Sequence, residues 1–141
     1  MGVEYELLGV LNVKVLGSGQ RTLVLAHGFG ADQSVWQHIL PYLVPHYKVI
    51  VFDMLFSGNV DSNHFDFDRH TSLSAYVADL LAILDELKVE KCLYVGHSVS
   101  GMVGCLASIE RPELFERLIL LCASPRYEIF KYVVEFFFNL E

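Results

Sequence analysis

The sequence predicts an α/β protein built on an open, mostly parallel sheet. Three observations carry this expectation. Strand-type and helix-type segments alternate along the chain, the order that generates βαβ units. The segment 22–26 is almost wholly apolar, as a central strand covered on both faces is. Finally, 53% of the 141 residues are hydrophobic and mean hydropathy is +0.40. Average usage is roughly 45–50% apolar, and the excess fits strands buried on two faces, or a core that has been cut open.

Residues 11–16 read as a first strand, with Gly17-Ser18-Gly19 as the turn of a hairpin to the second, 22–26. His27-Gly28-Phe29-Gly30 is a glycine-rich loop. Trp36, Ile39, Leu40 and Leu43 recur at helical spacing, and Pro45 bounds that helix. Residues 47–52 form the third strand, ending at Asp53. A polar loop follows from Ser57 to His70. Ser72 is placed to cap a helix whose apolar stripe is Leu73, Val77, Leu80, Leu81, Leu84 and Leu87. The fourth strand is 91–95. A tight turn, Gly96-His97-Ser98-Val99-Ser100, leads into a helix running to Glu110, which Arg111-Pro112 stops. The fifth strand is 117–122.

Composition narrows the function classes. A net charge of −7 with no basic run argues against nucleic acid and anionic membranes. No apolar run approaches the roughly 20 residues of a membrane span. The start of the chain lacks the basic and apolar regions of an export signal, and Glu6 stands where a myristoylation motif needs Ser or Thr. Cys92, Cys105 and Cys122 lie in apolar stretches without metal-ligand spacing. They read as buried, reduced thiols of a cytosolic-type compartment, and neither a metal nor a cofactor is expected.

Ser98 carries the chemistry. It sits between an apolar strand and a helix in Gly96-x-Ser98-x-Ser100, close to the G-x-S-x-G nucleophile elbow of the α/β hydrolases. The elbow forces its serine into a sharp turn, lifts the hydroxyl above the sheet and demands small neighbours. Ser100 takes the place of the last Gly and is small enough to fit. The loop His27-Gly28-Phe29-Gly30 follows the preceding central strand, where this fold builds its oxyanion hole. The two backbone N–H donors are then Phe29 and Val99, aimed at charge that develops only in the transition state. His97, beside the nucleophile in a tight turn, belongs to the wall of the binding site rather than to base catalysis. His27 fixes the oxyanion loop by hydrogen bonding. His38, His46, His64 and His70 read as solvated.

In this fold the triad follows in the order Ser, acid, His. Residues 99–141 contain no histidine, and their carboxylates lie on a helix, its flank or the tail. A serine hydroxyl without a base is a poor nucleophile at neutral pH. Weak or absent turnover by these 141 residues alone is therefore expected.

Several stretches extend the match beyond the elbow: Asn12-Val13-Lys14-Val15 with Gly17-Ser18-Gly19, His27-Gly28-Phe29-Gly30 with Asp32-Gln33-Ser34-Val35-Trp36, Phe65-Asp66-Phe67-Asp68-Arg69, Gly96-His97-Ser98-Val99-Ser100-Gly101-Met102 and Ala123-Ser124-Pro125-Arg126-Tyr127. On these residues the chain resembles the plant strigolactone and karrikin receptor family, within the RsbQ-like α/β hydrolases. The Phe52-Asp53 and Leu55-Phe56-Ser57-Gly58 stretch is most similar to its DWARF14-like branch. The resemblance covers about residues 9–127. It implies a partial α/β-hydrolase fold lacking the lid and C-terminal strands. It also implies a Ser–His–Asp serine hydrolase that slowly cleaves and senses a butenolide-type ester or lactone. Phe29 would line the pocket, and Pro125-Arg126-Tyr127 would lie near the base of the lid. An F-box protein as signalling partner and a cytoplasmic and nuclear setting are implied as well. After Tyr127 the resemblance stops, so 1–127 reads as the N-terminal part of a hydrolase domain. Residues 128–141 read as a divergent hydrophobic tail of a truncated or alternatively spliced product.

Three rivals compete. Gly28-x-Gly30 after a strand, with Asp53 ending the next one, echoes a dinucleotide fingerprint but lacks its third Gly. A non-catalytic interaction protein of the same fold would use the edge strand at 117–122. Hydrolases of the epoxide-hydrolase or dehalogenase type share this fold but place Asp at the elbow.

Overall fold

The computed structural model describes residues 4–125. One five-stranded sheet organises them: β1 (Lys14–Leu16), β2 (Arg21–Ala26), β3 (Tyr47–Phe52), β4 (Cys92–His97) and β5 (Phe115–Leu121). The spatial order is β1-β3-β2-β4-β5, with β1 antiparallel to β3 and every other pair parallel. Four helices accompany it: α1 (Glu4–Val10), α2 (Leu40–Leu43), α3 (Leu73–Glu86) and α4 (Val99–Glu110).

The two-residue period of the strands divides the core into two layers. Val24, Ala26, Ile50, Phe52 and Tyr94 face one side. There they pack with Val77, Leu80 and Leu84 of α3, Val103 and Ala107 of α4, and Leu7, Leu8 and Val10 of α1. Leu23, Leu25, Val49 and Val51 face the other side, under Trp36 and α2. Both β2 and β3 are therefore buried on two faces, which is why they read as continuous apolar runs. On the second face the apolar layer thins towards β5. Val95 is half-buried there, and its register partner Ile119 is 52% exposed.

The predicted mostly parallel sheet with flanking helices is present, and four expectations need correction. The hairpin does not form, because β1 joins β3 rather than β2. Strand β2 already has a parallel neighbour on each side, so β1 is displaced to the sheet edge, where its short, exposed residues fit. The helix expected around Trp36–Leu43 breaks into a 3₁₀ turn, Gln33–Trp36, and the single turn α2. Pro41 explains the break: it has no N–H to continue a helix from the preceding turn, and it sits instead in the first turn of α2, where none is needed. Helix α1 was not foreseen, although Leu7, Val10 and Leu11 stand at its period. Ser72 occupies the N-cap of α3, yet its hydroxyl meets Ser74 Oγ instead of a backbone N–H.

Two burial expectations also change. His70 is not solvated. It lies buried between the Phe65 and Tyr76 rings, with Nδ1 at 2.9 Å from the Asp66 carbonyl. Among the three free cysteines only Cys92 is buried, and the absence of solvent pushes its thiol up to about 12; Cys105 is half-buried and Cys122 exposed. Cys122 follows β5, whose outer edge no described element pairs with.

Helix α4 approaches the sheet through Gly104, where an added Cβ would run into the Tyr94 ring. Overpacking at such a contact costs about 1–3 kcal/mol. Gly104→Ala should lower the urea-unfolding free energy by that amount. An unchanged midpoint would mean the Tyr94 ring has room to move.

Candidate active site

The site forms where β2 and β4 end side by side. Their last paired residues are Ala26 and Gly96. From that rung the chain leaving β2 and the chain leaving β4 diverge, because β2 crosses over towards β3 and β4 towards β5. This is the switch point of a doubly wound sheet, where ligands bind outside the carboxyl ends of the strands.

Ser98 stands directly after β4 with φ 54° and ψ −120°, outside the regions open to an ordinary L-residue. Such backbone costs on the order of 1–3 kcal/mol and persists only where its surroundings hold it. Here the Ser98 N–H donates to the Leu121 carbonyl (2.8 Å) and the Ser98 carbonyl accepts from the Gly101 N–H (2.9 Å). Small neighbours are compulsory. A Cβ on Gly96 would lie 2.5 Å from the Ser100 carbonyl oxygen, and one on Gly101 would lie 2.6 Å from the Ala123 Cβ.

The loop after β2 is a β-turn in which the Ala31 N–H returns to the Gly28 carbonyl at 3.3 Å. Gly30 occupies its third position at φ 76°, as a type II turn requires. This loop comes so near the elbow that a Cβ on Gly28 would lie 2.7 Å from His97 Nδ1 and 3.2 Å from Ser98 Cβ. The structure therefore sets the loop that carries Phe29 against His97 and Ser98, and Val99 is the next residue in the chain. Neither the Phe29 nor the Val99 N–H is taken by an acceptor among the described residues. The Phe29 side chain is 71% exposed and rests on Phe56, with ring centroids 5.3 Å apart. Phe56 in turn meets His27 edge-on and Tyr76. No local pattern predicts Phe56 at this site. Arg126, Tyr127 and the tail lie outside the described residues.

His27 is fully buried and holds the loop as expected. The Met54 N–H donates to its Nε2 at 2.8 Å, so the ring proton sits on Nδ1 and is donated to the Gly28 carbonyl, also at 2.8 Å. Pinning that carbonyl fixes more than itself. A trans peptide is planar, so the Phe29 N–H must point the opposite way from the Gly28 C=O. Burial drives the His27 pKa below its ordinary value near 6.5, against the opposing pull of the Gly28 carbonyl and Asp53. His27 is thereby committed as a neutral spacer, and among the described residues no imidazole is hydrogen-bonded to the Ser98 hydroxyl.

Asp53 is equally committed. One carboxylate oxygen accepts from the Gln33 N–H (2.8 Å) and the other from Asn12 Nδ2 (3.0 Å). The acid that a nucleotide-binding reading would offer to a ribose instead ties β3 to two loops. Among the described residues no cluster of His, Cys, Asp and Glu is arranged to hold a metal ion, and no helix is long and apolar enough to cross a membrane.

The unfolded chain protonates His27 below about pH 6.5 while the native site resists the proton, so stability should be fully present above pH 6.5 and fall as pH drops below it. Urea midpoints between pH 7.5 and 5.5 should decline, and His27→Asn should flatten that part of the profile. An unchanged profile in the variant would remove His27 as the cause.

The fold is shared with known proteins. The α/β-hydrolase fold family profile matches residues 21–138. The chain is 60% identical over 121 residues to strigolactone esterase RMS3 of Pisum sativum, covering 86% of this chain and 45% of that one. It is 56% identical over 116 residues to karrikin insensitive 2 receptor CA of Petunia hybrida, covering 82% and 43%. The chain thus spans about half the length of these curated relatives. Among solved structures, a hydrolase from Oleispira antarctica superimposes with a TM-score of 0.83 at 30% identity, covering 96% of this chain and 55% of its own. The chain belongs to the α/β-hydrolase fold family, and within it is similar to strigolactone esterases and karrikin receptors.

Proposed function

We propose that this chain carries the nucleophile half of a serine hydrolase that senses a small butenolide-type ester or lactone. Ser98 is the nucleophile, the Phe29 and Val99 N–H groups are the oxyanion donors, and Phe29 with His97 lines the ligand site. One observation supports this above all. Ser98 is held at φ 54° and ψ −120° beside an N–H-bearing loop that touches it. An ordinary strand–helix junction has no need of such backbone. The names of the relatives supply the ligand class, since they are called strigolactone esterases and karrikin receptors. By the same kinship the partner is an F-box protein and the setting cytoplasmic and nuclear.

Attack by Ser98 Oγ on a lactone carbonyl forms the Ser–O–acyl bond and breaks the ring C–O bond, and the hydroxyl proton ends on the released ring oxygen. The oxyanion passes between the Phe29 and Val99 N–H groups, which lower the barrier without moving. No residue of 99–141 is a histidine, so nothing in Ser–acid–His order relays that proton or activates water for the second half. Acyl transfer to Ser98 should then be slow and should stop after one event.

Incubation with p-nitrophenyl acetate, followed by intact-mass measurement, tests this. The expected result is at most one slow acetylation per chain, absent in Ser98→Ala, with no sustained release of nitrophenol. Many turnovers per chain, lost in Ser98→Ala, would show that a base exists and overturn the single-event reading. Equal acetylation of the wild type and Ser98→Ala would remove Ser98 as the nucleophile. The exposed Ile119, Leu120 and Leu121 on β5 favour one second reading, an interaction protein of the same fold. It would appear as stable association on gel filtration.

A further inference from the structure

Ser100 departs from the elbow pattern, which has Gly at that position. Its side chain is fully buried, and its Oγ donates to the His27 carbonyl, 73 residues away in sequence. The β2–β4 ladder ends at Ala26 and Gly96, so the His27 carbonyl emerges beyond the last rung with no strand donor in reach. The Ser100 hydroxyl supplies the missing donor. Its own backbone carbonyl accepts from the Tyr94 hydroxyl at 2.7 Å, and Tyr94 is itself buried in the core.

We infer that Ser100 is a positioning residue for the oxyanion loop, a role that rests on the reading of Phe29 as an oxyanion donor. Two successive peptide planes must be set to aim the Phe29 N–H. Ser100 fixes the first, through the His27 carbonyl. The His27 ring fixes the second, through the Gly28 carbonyl. The ring itself is seated by the Met54 N–H. Every hydrogen bond in the series Tyr94–Ser100–His27–Gly28 is donated in the same sense, so no hydroxyl in it is free to rotate without breaking a link. A Gly at position 100 would fit the elbow sterically but would leave the His27 carbonyl buried and unmet.

The test is amide hydrogen exchange on the whole chain, read separately for residues 28–31 and for the β2 and β4 amides. Losing one buried hydrogen bond corresponds to about a tenfold change in a local opening equilibrium. In Ser100→Ala and Ser100→Gly the 28–31 amides should exchange about tenfold faster while the β2 and β4 amides hold. Ser100→Thr, which keeps the hydroxyl, should stay at the wild-type rate. Unchanged exchange at 28–31 in both the Ala and Gly variants would overturn the inference. So would faster exchange that rises equally in β2 and β4, since that is a global loss of stability. Labelling with a fluorophosphonate separates the two readings. If wild type and Ser98→Ala label equally, the assignment of Ser98 fails, while the exchange result still decides Ser100.

Discussion

The parallel pairing of β2 with β4 is the constraint on which the rest depends. It sets Ala26 beside Gly96, so that two loops distant in sequence leave the sheet at one point. The close approach of those loops then dictates residue size. Gly28 is hemmed in by His97 and Ser98 of the opposing loop, Gly96 by the backbone of Ser100 and Gly101 within the elbow itself, and Gly101 by Ala123 just beyond β5. Ser98 can be held in unfavourable backbone because both its N–H and its carbonyl are anchored, one of them to the end of β5. Sheet register and local strain are thus two aspects of one arrangement.

A second layer of control is polar and buried. In a low-dielectric interior an unmet carbonyl is costly, so the carbonyls of His27, Gly28 and Ser100 each have a donor. The donors come from three separate elements: β4 through Tyr94, α4 through Ser100 and the loop itself through His27. Because a donor cannot also accept in the same direction, the assignments leave no ambiguity. His27 is neutral, its proton is on Nδ1, and its role is to orient rather than to exchange a proton.

Much of this was legible in the sequence, for reasons that can be named. The continuous apolar runs at β2 and β3 announced strands buried on both faces, and the stripe of α3 stood at helical spacing. The elbow and the glycine loop were readable because their chemistry demands particular residues at fixed positions. What escaped was set by neighbours remote in sequence. The partner of β1 depends on which strands flank β2, and no local pattern records that. His70 looked solvated because its burial comes from Phe65 and Tyr76 closing on it. Ser100 looked merely small, since its acceptor lies 73 residues upstream. Pro41 is the exception, a local signal that should have limited the helix around Trp36.

The two edges of the sheet are unlike. At one, β1 is three residues long, antiparallel and headed by exposed Lys14, features that discourage another strand from adding. At the other, as far as the described residues run, β5 presents the exposed Ile119, Leu120 and Leu121. Endless stacking of sheets needs two receptive edges on each molecule, and among the described residues only β5 has the features of one. Self-pairing through it closes after two copies related by a twofold axis, since an isologous contact uses itself up. Among the described residues, the asymmetry of the sheet favours a closed pair over an open stack.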